Sequence, residues 1–438
     1  MKFSRVIIGL GVALGLTLSA MGTVSAARHH AQVDYYLALG DSVGAGYQNP
    51  AINTDRACTS TTADLSGNAG YSCLLYRRMA AAQPGLKYAN LALASSPGED
   101  SCSFHGSAAC VACRFTPSPA CGQLPNSIRT DAATGDTAPW NINTTNQLVA
   151  AEAFAGQPNV NVKVVSLNLG GNNFLWLLGL AQAPSCAVLP APFNTAPYEN
   201  ADCAQSAAVI ISQSVAPQLQ SDFGTVLTTL RTLFPSAIIL LGDQYDPLMQ
   251  LPPSSFANNG AEIEALAAAA IGPGTTMHPG FQALIQGMAA NFHATWVDEF
   301  DTITNGPTQT WITSNSNIHP NATGYTLLAN TYWADYVKDI GGESIKVKAP
   351  TKVKAGKRAK LEITTLPVSK VTTIITYKRN GHKRTANLTS TLTGVATKVT
   401  QTWKAPTGVK SAGYNSCSAV GTGANQSSKC STGRFRID

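Results

Sequence analysis

Two polar side chains, far apart in the chain, are of the types that nucleophilic catalysis requires. Ser42 comes after an apolar run at 35–39 and a Gly-Asp pair. A hydroxyl group is a weak nucleophile at neutral pH and needs a nearby base. Histidine has a suitable pKa, and His319 stands in a predicted loop just before Pro320 and a predicted helix start. We therefore expect Ser42 to act as a nucleophile with His319 as its base.

Acyl transfer builds negative charge on a carbonyl oxygen, so such a site also needs hydrogen-bond donors. Asn172 follows an apolar run at 162–169 and a pair of glycines, and its amide can donate. Gly98 lies shortly after Asn90, and a glycine lets a backbone N–H approach a substrate closely. Ala94 is the alternative for that donor. The backbone N–H of Ser42 is the remaining candidate.

The chain order of these residues resembles that of the SGNH hydrolase superfamily, also called the GDSL esterases and lipases. The resemblance rests on Gly-Asp-Ser, Gly-x-Asn and His-Pro motifs, covers about 35–340, and is closest to exported bacterial members. It implies a flavodoxin-like, three-layer α/β/α fold with a parallel sheet. It also implies a Ser42 acyl-enzyme, His319 as base, and an oxyanion hole formed by Ser42, Gly98 and Asn172.

The group that orients His319 is an open question in the sequence. The family usually has an acid three residues before the histidine, where this chain has Ser316. A carboxylate there would fix the imidazole tautomer and stabilise its cation. Three substitutes are considered: a backbone carbonyl within 314–317, the Ser316 hydroxyl, or the carboxylate of Asp298 or Asp301.

The leading interpretation is a carboxylic-ester hydrolase, an esterase or lipase acting on lipid or short acyl esters. A second interpretation is a polysaccharide deacetylase-type esterase that uses the same site. A third is a cell-envelope-binding protein with a degenerate hydrolase domain, which the missing acid at Ser316 favours. The presence of all four other motif residues favours an enzyme.

The elements that must position these residues show a strand–helix alternation. A helix is predicted at 207–233, and another after Pro320. The apolar positions of the second helix repeat every three or four residues, at Tyr325, Leu328, Tyr332 and Tyr336. Alternating strands and helices predict a parallel sheet with helices on both faces. Its strand-like runs lie at 35–39, 162–169, 237–241 and 295–297.

The pattern changes near 340–342, which predicts a hydrolase domain at 33–341 and a second domain at 342–438. The second domain is rich in Thr and Val and has a turn signal at Asn380-Gly381. These features predict a small β-sandwich, similar to bacterial immunoglobulin-like domains. Its predicted strands lie at 346–354, 359–364 and 371–378.

Charge divides the chain at the same place. Residues 342–438 contain 18 Lys and Arg against three acidic residues, a net charge of +15. The whole chain carries +6, so residues 1–341 carry −9. The basic domain predicts a partner such as an anionic cell-envelope polymer or a membrane surface. Its few aromatic residues do not suggest base stacking, so no nucleic acid is expected. The chain is expected to be a monomer.

Residues 1–26 have the features of a cleaved signal peptide: Lys2 and Arg5, an apolar run, and small residues at 24–26. We therefore expect a secreted protein, either free or associated with the cell envelope. Ten cysteines in an exported chain predict disulfides, with Cys186–Cys203 and Cys417–Cys430 as short-range pairs. Zinc at Cys110 and Cys113 is the alternative, and the leading interpretation has no metal and no cofactor. The remaining cysteines are Cys58, Cys73, Cys102 and Cys121.

Overall fold

A computed structural model describes residues 32–46, 58, 70–92, 147–171, 216–246, 271–273, 280–304, 312–314, 317–422 and 426–438. Several predicted features lie outside these residues. They are the signal peptide at 1–26, Gly98, Asn172, Ser316, Cys102, Cys110, Cys113, Cys121, Cys186 and Cys203.

The first part of the chain is an α/β structure built on a five-stranded parallel sheet. The strand order is β2-β1-β3-β4-β5, the order of flavodoxin-like folds. The strands are β1 (Val33–Gly40), β2 (Lys87–Asn90), β3 (Val160–Asn168), β4 (Ile238–Gly242) and β5 (Thr295–Val297). The helices are α1 (Ser42–Ala45), α2 (Tyr71–Ala82), α3 (Gln147–Ala155), α4 (Ala216–Leu233), α5 (Phe281–Asn291) and α6 (Ala322–Asp339).

Alternate residues of β1 enter two different cores. Leu37 and Leu39 pack with the apolar side chains of α3, α4 and α5 on one face of the sheet. Tyr36 and Ala38 pack with those of α2 and α6 on the other face. Burial on both faces explains why the strands are near-continuous apolar runs. The predicted three-layer α/β/α arrangement is thus present.

Between β5 and α6 the chain forms a π-helical turn (Phe300–Thr304) and two short strands, β6 (Ile312–Ser314) and β7 (Asn317–Pro320). These two strands pair in antiparallel fashion. His319 therefore lies in a strand, whereas the sequence predicted a loop. The difference arises because a pairing of three or four residues has no periodicity of its own.

The second part of the chain consists of strands alone in its described residues. Two sheets, β13-β10-β8 and β12-β11-β14-β15-β9, share one core, as a sandwich requires. The immunoglobulin-like character stays a prediction. The strands are β8 (Ile345–Lys348), β9 (Lys352–Val353), β10 (Arg358–Thr365), β11 (Lys370–Arg379), β12 (His382–Thr391), β13 (Lys398–Lys404), β14 (Ser411–Val420) and β15 (Ser427–Ile437).

Two local predictions for this second part agree with the structure. Asn380 and Gly381 join β11 to β12 with φ values of 51° and 80°, so they form the predicted tight turn. Cys417 and Cys430 face each other on β14 and β15 and form a disulfide. A second disulfide joins Cys58 to Cys73.

The β-sandwich packs directly on α6, the helix that follows His319. The indole N–H of Trp333 donates to the carbonyl of Pro367 at 2.8 Å. Val420 belongs to the apolar core formed around α2 and α6, and Leu366 packs against that core. The two parts are therefore joined by a buried contact as well as by the chain. No helix among the described residues is long and apolar enough to span a membrane.

Candidate active site

The turn that carries Ser42 is built on a close approach between β1 and β3. Gly40, the last residue of β1, has φ +139°, and a Cβ there would lie 2.3 Å from the carbonyl oxygen of Asn168. The N–H of Asp41 donates to that same oxygen at 3.0 Å. Only glycine fits this position, which explains the first residue of the Gly-Asp-Ser motif.

Ser42 opens the one-turn helix α1, which several polar contacts hold in place. The Asp41 side chain caps the helix by accepting the N–H of Val43 at 2.9 Å. The carbonyl of Gly44 accepts from Ser72 Oγ at 3.0 Å and from Asn90 Nδ2 at 3.3 Å. Asn90 was noted in the sequence as a neighbour of the predicted Gly98 donor. In the structure its side chain anchors the nucleophile helix to the end of β2.

His319 lies against Ser42, as the sequence predicted. Its Nε2 atom is 2.7 Å from Ser42 Oγ, although the two residues are 277 positions apart. Both side chains are almost fully buried. The chain directly after His319 is held in place because the Asn321 side chain caps α6, accepting the N–H of Gly324 at 3.0 Å. The distance allows proton transfer between the hydroxyl and the ring without further movement.

Burial determines the protonation state of His319, because it lowers the pKa of the imidazole ring to about 4. A ring with this pKa is neutral throughout the ordinary range of pH. A neutral ring can accept a proton, and it can therefore serve as a general base.

If His319 is the base, the acidic limb of kcat/KM is expected to have its midpoint near pH 4. At pH 5.5 a ring with pKa 4 is about 97% neutral, whereas one with pKa 6.5 is only about 9% neutral. Ester hydrolysis at pH 5.5 is therefore expected to remain close to its value at pH 7.5. Circular dichroism at each pH serves as the control for folding. A roughly tenfold loss at pH 5.5 with an intact fold is the loss that a base of pKa 6.5 would give, and it would contradict the lowered pKa of His319.

The predicted alternatives for the His319 partner have other contacts in the structure. Asp298 Oδ1 accepts from Gln282 Nε2 at 3.1 Å and from the N–H of Asp301 at 2.9 Å. Burial raises the pKa of Asp298 to about 6, with Asp301 as the nearest like charge. The Asp301 side chain is exposed. Ser316 lies outside the described residues, as do Gly98 and Asn172.

Sequence reasoning missed two buried carboxyl groups, Asp243 directly after β4 and Glu299 shortly after β5. Asp243 accepts the indole N–H of Trp296 at 2.9 Å and the N–H of Glu299 at 2.7 Å. Glu299 accepts from Asn168 Nδ2 at 2.5 Å and from the Tyr332 hydroxyl at 2.7 Å. These contacts tie the segment after β5 to β3 and to α6. The position of Asp243 directly after an apolar strand was the available signal.

Burial is the largest influence on the pKa values of Asp243 and Glu299. It raises the pKa of Asp243 to about 8, against the effect of its three N–H donors. It raises the pKa of Glu299 well above its ordinary range. Their hydrogen bonds join the segment after β5 to β3 and to α6, so we assign them a structural role. Among the described residues, no group of three or more His, Cys, Asp or Glu side chains could hold a metal ion.

Comparison with known proteins gives structural neighbours only. No family model and no curated protein matches the chain. An extracellular lipase from Streptomyces rimosus is similar at 16% identity and a TM-score of 0.36, covering 69% of this chain and 98% of that one. The phospholipase A1 from Streptomyces albidoflavus is similar at 16% identity and a TM-score of 0.32, covering 70% and 98%.

A smaller neighbour is the CARDB domain of a Pyrococcus furiosus protein. It is 21% identical with a TM-score of 0.16, and the match covers 22% of this chain and 94% of that one. Over about 70% of its length, the chain is similar to these two Streptomyces enzymes and to a putative GDSL-like lipase from Parabacteroides merdae, the last at 13% identity and a TM-score of 0.33.

Proposed function

We propose that this chain is a serine-dependent hydrolase of carboxylic esters. The observation that carries the proposal is the 2.7 Å contact between Ser42 Oγ and His319 Nε2. The contact lies just beyond the carboxyl end of β1, where open parallel sheets bind their ligands. A serine hydroxyl held against a neutral imidazole is the arrangement that an activated nucleophile needs.

In the proposed reaction, His319 takes the hydroxyl proton while Ser42 Oγ attacks the ester carbonyl carbon. The carbonyl electrons move onto the oxygen, which becomes an oxyanion. The N–H of Ser42 is one proposed donor to it, and Gly98 and Asn172 are proposed as the other two. His319 then protonates the departing alcohol, leaving an acyl-enzyme. A water molecule, deprotonated by His319, releases the acid and restores Ser42.

We propose that a backbone carbonyl before His319, within 314–317, orients the imidazole ring. The contacts of Asp298 with Gln282 and Asp301 support this choice. An Asp298→Asn variant is then expected to keep kcat within about threefold of wild type, because no ring contact is lost. A loss as large as that caused by His319→Ala would contradict the proposal and would identify Asp298 as the partner.

The proposed substrates are lipid or short acyl esters, and the proposed location is outside the cell. The location rests on the signal-peptide pattern at 1–26 and on the cysteine content. Removal of acetyl groups from a polysaccharide is a second candidate, because the same nucleophile and base would perform it. No described contact favours one acyl group over another.

The experiment that tests the proposal is hydrolysis of p-nitrophenyl esters from acetate to palmitate by the purified full chain. We expect turnover that Ser42→Ala abolishes, and the preferred chain length separates an esterase from a lipase. Acetylated xylan serves as the polysaccharide substrate. Absence of turnover on every substrate, or equal turnover by Ser42→Ala, would contradict the proposed function and would favour a binding protein with a degenerate site.

A further inference from the structure

The β-sandwich has a cleft in which most of the lining residues are cationic. Its volume is about 390 Å³, and it lies between the end of β8, the short strand β9 and the start of β10. Its apolar lining residues are Ala349, Pro350 and Val353. The charged residues that line it are Lys348, Lys352, Lys354, Lys357, Arg358, Lys360 and Glu362.

The positive charge of the cleft is only partly neutralised. Glu362 pairs with Lys360 at 2.8 Å and with Lys348 at 3.9 Å. The hydrogen bond from Lys360 lowers the pKa of Glu362. Asp438 brings a further acidic residue nearby, since its backbone bonds to Val353 and Ala355.

The other four cations of the cleft have no ion-pair partner within the described part of the chain. They are Lys352, Lys354, Lys357 and Arg358, and their side chains are exposed. A concave surface with several unneutralised cations concentrates anions, because neighbouring charges reinforce one another there.

We propose that this cleft binds a linear polyanion whose charges are phosphate groups. The lining cations are mostly lysines, whose ammonium groups are compact charges on flexible stems and can adjust to phosphates of variable spacing. The concave shape suits an extended polymer segment. A flat bilayer suits it less, because the exposed large apolar side chains among the described residues are Ile340 and Ile374, and neither lines the cleft. Base stacking has no support either, since the cleft has no aromatic lining residue.

The test uses the full chain and inorganic polyphosphate as the probe, with binding measured by calorimetry. The cleft variant is Lys352→Gln/Lys354→Gln/Lys357→Gln. The matched control is Lys378→Gln/Arg379→Gln/Lys383→Gln, which removes the same charge from exposed residues of the β11–β12 hairpin. We expect the cleft variant to raise Kd about tenfold or more and the control to raise it less than about threefold. Ester hydrolysis is expected to be unchanged in both.

Two results would overturn the proposal. Equal losses in the two variants would show that binding follows overall charge. Stronger binding to vesicles containing phosphatidylglycerol than to polyphosphate, at equal phosphate concentration, would show that the surface docks on membranes. Neither result depends on whether the chain hydrolyses esters.

The side chain of Gln147 forms two hydrogen bonds with the backbone of Gly40. Its Oε1 atom accepts the N–H of Gly40 at 2.9 Å, and its Nε2 donates to the Gly40 carbonyl at 2.7 Å. Gln147 is the first residue of α3 and is 1% exposed. The two contacts lie two residues before the proposed nucleophile.

The position of these contacts follows from the end of β2. The backbone of Ala38 faces β2, and its carbonyl accepts the N–H of Leu91, the residue after β2, at 2.8 Å. Gly40, two residues further along β1, directs its N–H and carbonyl to the same side. The strand β2 has already ended at Asn90, so the Gln147 amide takes the place of the missing strand neighbour.

We infer that Gln147 is a positioning residue for the Ser42 nucleophile, an inference that rests on the proposed function. It satisfies a buried N–H and a buried carbonyl that would otherwise lack partners, and so fixes the turn on the side opposite β3. A side chain must both accept and donate to do this. An amide does so at any pH, and a carboxyl group does so only when it is protonated.

The test is the pH profile of Gln147→Glu beside that of Gln147→Leu. At about pH 10, above the pKa that burial gives a glutamic acid, both variants are expected to lose about 10- to 100-fold in kcat. As the pH falls towards about 5, Gln147→Glu is expected to recover to within about threefold of wild type, because its neutral acid mimics the amide. Gln147→Leu is not expected to recover. Wild-type His319 remains neutral over this range.

If the two substitutions acted only by lowering stability, acid would not restore the kcat of Gln147→Glu while leaving that of Gln147→Leu low. Thermal unfolding of both variants at each pH supplies that control. A Gln147→Glu profile parallel to that of Gln147→Leu would overturn the inference while leaving the hydrolase proposal intact. An inactive wild type would instead contradict the proposed function itself.

Discussion

Replacing Ser42 by Ala, or His319 by Ala, is expected to lower kcat/KM for a p-nitrophenyl ester by at least about 10³-fold. The two side chains act as a unit, because the hydroxyl attacks only as its proton passes to the ring 2.7 Å away. The double variant is therefore expected to be no slower than either single variant. The measurement is a double-mutant cycle of kcat/KM at about pH 7.

The double variant distinguishes a proton transfer shared by the two residues from two separate contributions. If the two losses multiplied, each residue would contribute separately to turnover, and the proposed proton transfer between them would be wrong. Both residues are buried, so unfolding curves for all four proteins are the control. A His319→Ala variant that retained more than about a tenth of wild-type kcat/KM would also show that His319 is not the base.

Replacing Gly40 by Ala is expected to reduce both stability and turnover. The new Cβ would lie 2.3 Å from the Asn168 carbonyl oxygen, and the residue would have to keep φ +139°. Strain and overpacking together are expected to cost about 3 kcal/mol of unfolding free energy. Any shift of β1 away from β3 also moves Ser42, so kcat of the folded fraction is expected to fall about 10²-fold. Chemical denaturation and active-site-normalised kinetics measure the two effects.

Gly85→Ala is the matched control for this substitution. Gly85 also has a positive φ, +99°, but a Cβ there would have no neighbour within 4 Å. Its replacement is expected to cost about 1 kcal/mol from backbone strain alone and to leave kcat unchanged. Equal destabilisation by the two substitutions would show that the contact between Gly40 and Asn168 contributes nothing.

The sheet was predictable because buried parallel strands leave a strong sequence pattern. The runs at 35–39 and 162–169 became β1 and β3, and the repeat of Tyr325, Leu328 and Tyr332 became the buried face of α6. The strand β2 was missed, since Lys87–Asn90 is only four residues long and begins with an exposed lysine. Its pairing depends on the neighbouring strand β1, which lies about fifty residues earlier in the chain.

The site was predictable where a chemical role requires a particular residue type in a particular motif. Ser42 and His319 were named for their chemistry, and the fold brings them together. Gln147 gave no such signal, because its partners are the backbone atoms of Gly40 and any chain has those. Asp243 and Glu299 were missed for a related reason. Their roles depend on contacts between β3, β4 and α6 that only the folded chain creates.

The whole proposed reaction depends on the activation of Ser42 by His319 as a nucleophile. The most direct test is reaction of the full chain with a fluorophosphonate, followed by mass spectrometry of its peptides. We expect one adduct per molecule, located on Ser42, that is absent in Ser42→Ala and forms at least about 10²-fold more slowly in His319→Ala. A folded wild-type protein that gave no adduct, or one located on another residue, would show that Ser42 is not the activated nucleophile.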